Sequence, residues 1–195
     1  MKAKAIIMPT LTLVIIALVT SVLLVLTNAG TKDKIAQLQV EADNASRQEV
    51  LPDADSFDEG QSIDVDGTTY TYWTAANGAG YVFSTQYKGY GGAVVVMTGI
   101  TADGNVAGVK ITEQNETPGL GQKALDASFT DQYLKAIPEN GFEVTKNGAT
   151  ADNQIDAIGG ATITSNAVTN SVNQAIEIYH TLTGGANRWL KKKRL

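Results

Sequence analysis

Cysteine is absent from the 195 residues, and histidine occurs once, as His180. Disulfides, thiolate zinc sites, iron–sulfur clusters and thioether-bound haem all need sulfur ligands and are excluded. Multi-histidine metal sites go with them. Any redox chemistry must rest on an organic cofactor or a hard-oxygen metal site, or else be absent. Missing cysteine suits oxidising and reducing compartments alike, so it assigns no location. The length allows one domain plus an appendage and excludes a large multidomain enzyme.

Acidic residues are missing from both ends. Residues 1–31 hold only Lys2 and Lys4, whereas the tail from Arg188 adds Lys191, Lys192, Lys193 and Arg194 to that arginine. The middle, 32–187, keeps eight of the 15 basic residues against all 20 acidic ones, for a net of −12. A body so acidic repels a phosphate backbone, so nucleic acid is not an expected partner. The basic tail suits an anionic lipid headgroup surface or an acidic partner, or is a solvated end.

From Ala5 to Thr27 no residue is charged, and Leu, Ile and Val dominate. At roughly 1.5 Å rise per residue this stretch reaches across a ~30 Å hydrocarbon core. One transmembrane helix is expected. A secretory signal peptide is the alternative, since Thr27-Asn28-Ala29 could pass for a cleavage site, but its apolar core usually runs only about 7–15 residues. The flanking lysines lean towards an N-terminus inside.

Beyond the span, Ile35, Leu38, Ala42 and Ala45 recur at helical spacing, and the spacing predicts a stalk that Pro52 ends. The acidic stretch after it, with Asp53, Asp55, Asp58, Glu59, Asp64 and Asp66, is expected to be a solvated linker. As a calcium loop it fails, because Phe57 sits where the third oxygen ligand belongs and Gly60 comes two places late.

The body then reads as strands. Asp66-Gly67, Asn77-Gly78, Asp103-Gly104 and Asn147-Gly148 separate runs rich in Val, Thr, Tyr and Phe, which is hairpin punctuation. The clearest hairpin pairs Ala93–Thr101 with Val106–Thr112. Tyr70, Tyr72, Trp73, Tyr81 and Tyr87 are expected to be half-buried sheet packing. Gly89, Gly91 and Gly92 form a turn before a strand; a dinucleotide fingerprint needs its glycines after a strand and opening a helix, so that motif fails. From Thr162, the apolar positions Ala167, Val168, Val172, Ala175, Ile176 and Tyr179 predict an amphipathic helix that stops at Gly184-Gly185. Strands first and helices late predict an α+β domain with an antiparallel sheet. His180, in the last turn, is expected to interact with the helix dipole.

Two segments carry chemistry. In Asp156-Ala157-Ile158-Gly159-Gly160-Ala161-Thr162-Ile163-Thr164-Ser165, a strand end meets two glycines and a run of hydroxyls opening a helix. Glycines admit a close ligand, and the free N–H groups of a helix start attract an anion such as phosphate. A hydroxyl there is placed to carry a phosphoester, or Thr162 or Thr164 simply caps the helix. In Glu116-Thr117-Pro118-Gly119-Leu120-Gly121, proline and two glycines make a rigid loop with exposed backbone, suited to a flat ring or to a plain tight turn.

The ordered pair resembles the FMN-binding subunits of bacterial membrane redox pumps, specifically the G-subunit of the Rnf complex. That family has one N-terminal membrane helix, an extracytoplasmic domain, a loop reading ETPGLG and a flavinylation motif D-x-x-[S/T]-G-A-T. Glu116–Gly121 matches the loop in full; the second motif matches at Asp156, Gly160, Ala161 and Thr162, with Gly159 in place of Ser or Thr. The related C-subunit of the sodium-pumping NADH:quinone reductase carries both motifs on typically longer chains. A non-redox membrane-tethered binding module is the alternative of another class.

The resemblance implies a transmembrane anchor at 1–31, a stalk and acidic linker at 32–66, an antiparallel-sheet FMN-binding domain at 67–187 and a basic tail at 188–195. It implies FMN esterified through its phosphate to Thr162 by a flavin transferase that recognises Asp156, with Thr164 and Ser165 as phosphate ligands. Glu116, Thr117, Gly119, Leu120, Gly121, Gly160 and Ala161 complete the expected site. The implied protein is an electron-transfer subunit of a membrane ferredoxin:NAD oxidoreductase coupled to ion transport. It is single-pass in the inner membrane, contacts lipid and the other members of the complex, and has little activity alone.

Overall fold

A computed structural model describes residues 2–65 and 67–184, with side chains from Ile7 onward. Asp66, Gly185 and the basic tail Lys191 to Arg194 lie outside the described residues. The chain divides into two units, 1–44 and 45–195.

Helix α1 spans Lys2–Val50. In the first unit its apolar part reaches a mean hydropathy of 2.6 with none of it buried, so by length and composition this helix can cross a membrane. Its hydroxyls stay compatible with such a setting: Thr12, Thr20 and Thr27 each donate back to the carbonyl four residues earlier, Met8, Ile16 and Leu23, at 2.8–2.9 Å. Helix α1 ends at Val50, two residues ahead of Pro52, whose ring and missing N–H forbid a further turn.

The second unit is built on a five-stranded antiparallel sheet of β1 (Gln61–Val65), β2 (Thr68–Thr74), β3 (Gly80–Lys88), β4 (Ala93–Thr101) and β5 (Val106–Glu113), in that spatial order. Asn77-Gly78 and Asp103-Gly104 fall at its hairpins, and the predicted pairing of β4 with β5 is found, with register shifts at Val95/Val96 and Gly99/Ile100. Asn147-Gly148 does not make a hairpin. It lies in the connection between two short parallel strands, β6 (Glu143–Thr145) and β7 (Gln154–Asp156), where Gly148 supplies the positive φ of a loop turn. The acidic linker is also more structured than expected. Ile63 and Val65 alternate towards the core, which makes 61–65 an edge strand, and Phe57 packs near Ala75 and Trp73 on the other side.

After β5 come a 3₁₀ turn (Gly121–Leu125), the one-turn helix α2 (Ala127–Thr130), a second 3₁₀ turn (Asp131–Tyr133) and the two short strands. Helix α3 (Thr162–Leu182) then lies across β3 and β4. The predicted apolar face is the buried one: Ala167, Val168, Val172, Ala175, Ile176 and Tyr179 meet Phe83, Val94, Val96 and Ile100. The opposite sheet face is covered where the end of α1 brings Val50 and Leu51 onto Val82 and Met97.

Candidate functional site

The start of α3 is set by a tight turn. Ala161 N–H donates to Ile158 C=O at 2.9 Å, and Gly160 takes φ +77°, a conformation that glycine adopts without strain. Ser165 locks this turn from inside: its hydroxyl donates to Ala161 C=O and accepts from Ile158 N–H, both at 3.0 Å, and the residue is fully buried. Its single proton is thereby used within the turn, so the role of phosphate ligand expected for Ser165 gives way to one of shaping the loop. The first intrahelical bond runs from Ser165 N–H to Ala161 C=O. No side chain caps the helix, contrary to the alternative in which Thr162 or Thr164 does so. The N–H groups of Thr162, Ile163 and Thr164 therefore open the helix without intrahelical acceptors.

The loop 116–121 is joined to this turn by Glu116, only 4 % exposed. One carboxylate oxygen, Oε2, accepts the Thr164 hydroxyl at 2.5 Å; the other, Oε1, accepts Gly91 N–H at 2.9 Å. Thr117 C=O accepts Leu120 N–H and Gln122 N–H and closes the loop, with Gly119 at φ +76°. Gly121 is buried beneath, where an added Cβ would stand 2.6 Å from Glu116 Oε2 and 2.7 Å from Thr164 Oγ1. Leu120 reaches over to Gly160, whose added Cβ would lie 3.3 Å from Leu120 Cδ2.

Between these segments is a cleft of ≈ 560 Å³ lined by Tyr90, Glu116, Thr117, Leu120, Gly121 and Gly160–Thr164, a volume typical of cofactor pockets. Of the three hydroxyls at the start of α3, those of Thr164 and Ser165 are bonded within the protein. The Thr162 hydroxyl lies on the cleft, half-buried, with no hydrogen bond among the described residues. An anion beside it would meet the open N–H groups of the helix start, and a flat apolar ring would meet Leu120 and Ile163, which are 46 % and 55 % exposed. The donor set thus fits a phosphorylated flavin: one free hydroxyl, uncapped N–H groups and an apolar wall.

Gly119 and Ser165 do not line this cleft. Asp156 also lies outside it, exposed on β7, where its Oδ1 accepts Ala149 N–H and its own N–H donates to Gln132. What sequence reasoning passed over is the turn at Gly89–Gly92. Judged only against a dinucleotide fingerprint it fails, yet it forms the third wall of the cleft. The missing signal was the contact across 25 residues to Glu116, which no local pattern carries. His180 sits in the last turn of α3 as expected, and burial lowers its pKa below the usual imidazole value.

The chain matches the FMN-binding domain family over residues 89–177 and the RnfG N-terminal region over residues 1–50. It is 38 % identical over 190 residues to the G-subunit of the Na(+)-translocating ferredoxin:NAD(+) oxidoreductase complex of Acetobacterium woodii, covering 89 % of this chain and 91 % of that one. It is likewise 38 % identical, over 158 residues, to the G-subunit of the proton-translocating ferredoxin:NAD(+) oxidoreductase complex of Clostridium ljungdahlii, covering 80 % and 81 %. Among solved structures, the C-subunit of the Na(+)-translocating NADH-quinone reductase from Parabacteroides distasonis shares the fold. Its TM-score is 0.54 at 21 % identity, over 71 % of this chain and 92 % of that one.

Proposed function

The chain belongs to the G-subunit family of Rnf-type ion-translocating oxidoreductase complexes, and on that premise we propose that it carries electrons through an FMN bonded to Thr162. It serves as one member of a membrane ferredoxin:NAD(+) oxidoreductase and has little activity alone. Bound FMN supplies reversible transfer of one or two electrons, which this sulfur-free, histidine-poor chain does not supply itself.

The observation that carries the reading is the disposition of the three hydroxyls, of which only that of Thr162 is both on the cleft and uncommitted. Its Oγ1 is the phosphoryl acceptor. The N–H groups of Thr162, Ile163 and Thr164 hold the phosphate oxygens, Leu120 and Ile163 shield the ring from water, and Glu116 keeps the loop and the helix start in register. Asp156, exposed six residues ahead, offers a flavin transferase its recognition point. The apolar part of α1 anchors the chain in the lipid of the inner membrane with the flavin domain outside the cytoplasm. There a covalent bond keeps a cofactor that reversible binding would lose by dilution. The two relatives of equal identity translocate different ions, so likeness in this subunit does not by itself assign the coupling ion.

Thr162→Val tests the reading. In cells that contain the transferase, intact mass should show the FMN adduct on the wild type and none on the variant, with unchanged circular dichroism. An adduct that persists on the variant would overturn Thr162 as acceptor. A wild type that stays colourless in denaturing gels would leave a non-redox tethered module.

A further inference from the structure

Tyr90 has the largest exposed fraction among the large hydrophobic side chains described, at 72 %, and its hydroxyl makes no hydrogen bond among the described residues. Nothing about the backbone that carries it is loose. Gly89 N–H donates to Gly92 C=O at 2.7 Å, and Gly91 N–H donates to Glu116 Oε1. The turn is pressed so closely on the neighbouring loop that an added Cβ would stand 1.9 Å from Asn115 O at Gly91 and 2.4 Å from Glu116 Oε1 at Gly89. A buried carboxylate and two glycines that accept no side chain thus hold up one exposed aromatic ring. Exposed apolar side chains gathered on one cleft, as Tyr90 is with Leu120 and Ile163, mark a surface that another group covers.

Three chain segments bring apolar side chains to one cleft: Tyr90 from the β3–β4 turn, Leu120 from the loop after β5, and Ile163 from the start of α3. The match to the FMN-binding domain begins at Gly89, so the turn falls within that domain although the strands before it do not. We propose that Tyr90 is a ring contact for the flavin, its phenol against the isoalloxazine, with Glu116 as the residue that positions it. This inference rests on the FMN reading above and adds the residue that decides how the ring is shielded. An electron-rich phenol against an excited flavin gives it one electron and takes the same electron back, which quenches emission without net chemistry. Phenylalanine covers the ring equally well but is too hard to oxidise to do this.

The test uses full-length protein from cells that contain the transferase, normalised by intact mass to equal FMN content. Tyr90→Leu should raise the flavin fluorescence several-fold and increase its quenching by iodide, because the ring loses both its electron donor and its cover. Tyr90→Phe should be as bright as the leucine variant yet as protected from iodide as the wild type. Equal emission and equal iodide quenching in the wild type and the leucine variant, with the adduct present in both, would overturn the proposal and leave the FMN reading standing. Absence of the adduct from the wild type would instead defeat that reading, and this proposal with it. If the leucine variant takes up no flavin, the phenylalanine variant decides, and emission as dim as the wild type would overturn the contact.

Discussion

At the residue scale, the site depends on how hydroxyls and glycines are distributed around one carboxylate. Glu116 is the only acidic side chain classed as buried among the described residues, and it accepts from a backbone amide and a hydroxyl that come from two different segments. A carboxylate so placed must be bonded to be tolerated, and the bonds it makes bring the walls of the cleft together. Gly159 is the opposite case, since an added Cβ there meets nothing within 4 Å and its φ is not in the left-handed region. Nothing in the fold therefore demands glycine at that position. Gly159→Ser should be accepted and should stabilise the domain by about 0.5 kcal/mol through a less flexible unfolded chain. On the proposal that Thr162 carries the flavin, the serine restores the residue that the resemblance expects at this position, and FMN incorporation should equal or exceed that of the wild type. Urea unfolding and intact mass measure the two effects, and a fall in either would show that Gly159 serves a purpose of its own.

At the scale of elements, the end of α1 is seated in a notch made for backbone. Gly99 and Gly108 face each other across β4 and β5, and an added Cβ would stand 2.0 Å from Val50 O at the first and 2.4 Å from Val50 Cα at the second. Backbone atoms cannot swing aside as a side chain can, so Gly108→Ala should destabilise the domain by about 3 kcal/mol, at the upper end for overpacking. The ion pair between Lys110 and Glu49 beside this notch is partly to largely exposed, and breaking it with Lys110→Ala should cost under about 1 kcal/mol. Denaturant melts of the two variants would reverse this ordering only if electrostatics, and not close packing, held the helix end. Near the same helix end, Arg47 lies 4.5 Å from the Trp73 ring centroid, and Gln48 donates to Pro52 C=O and Ala54 C=O.

At the scale of the whole molecule, stability should respond to pH through His180. Burial holds its folded pKa below the unfolded value of about 6.5, so the unfolded state binds the proton more readily. This contribution is complete above that pH and is lost as pH falls through the depressed folded value. Between pH 7.5 and 5 the Tm of the wild type should drop relative to that of His180→Gln, and parallel curves would mean that the imidazole titrates alike in both states. What the sequence determined by itself is whatever a short window or a missing residue type can state. A charge-free stretch long enough to span a membrane, the β4–β5 hairpin, the buried face of α3 and the exclusion of sulfur-bound redox centres are all of this kind. The edge strand at 61–65 and the parallel pairing of β6 with β7 escaped it, because acidic residues mask the alternation of Ile63 and Val65 and because strands of three residues are too short to show a pattern. Only the tertiary structure decided which hydroxyl of Thr162, Thr164 and Ser165 stays uncommitted. Thr164 is engaged by Glu116 across 48 residues, a separation that no local pattern encodes, and Ser165 by the turn beneath it. The turn at Gly89–Gly92 became part of the site for the same reason.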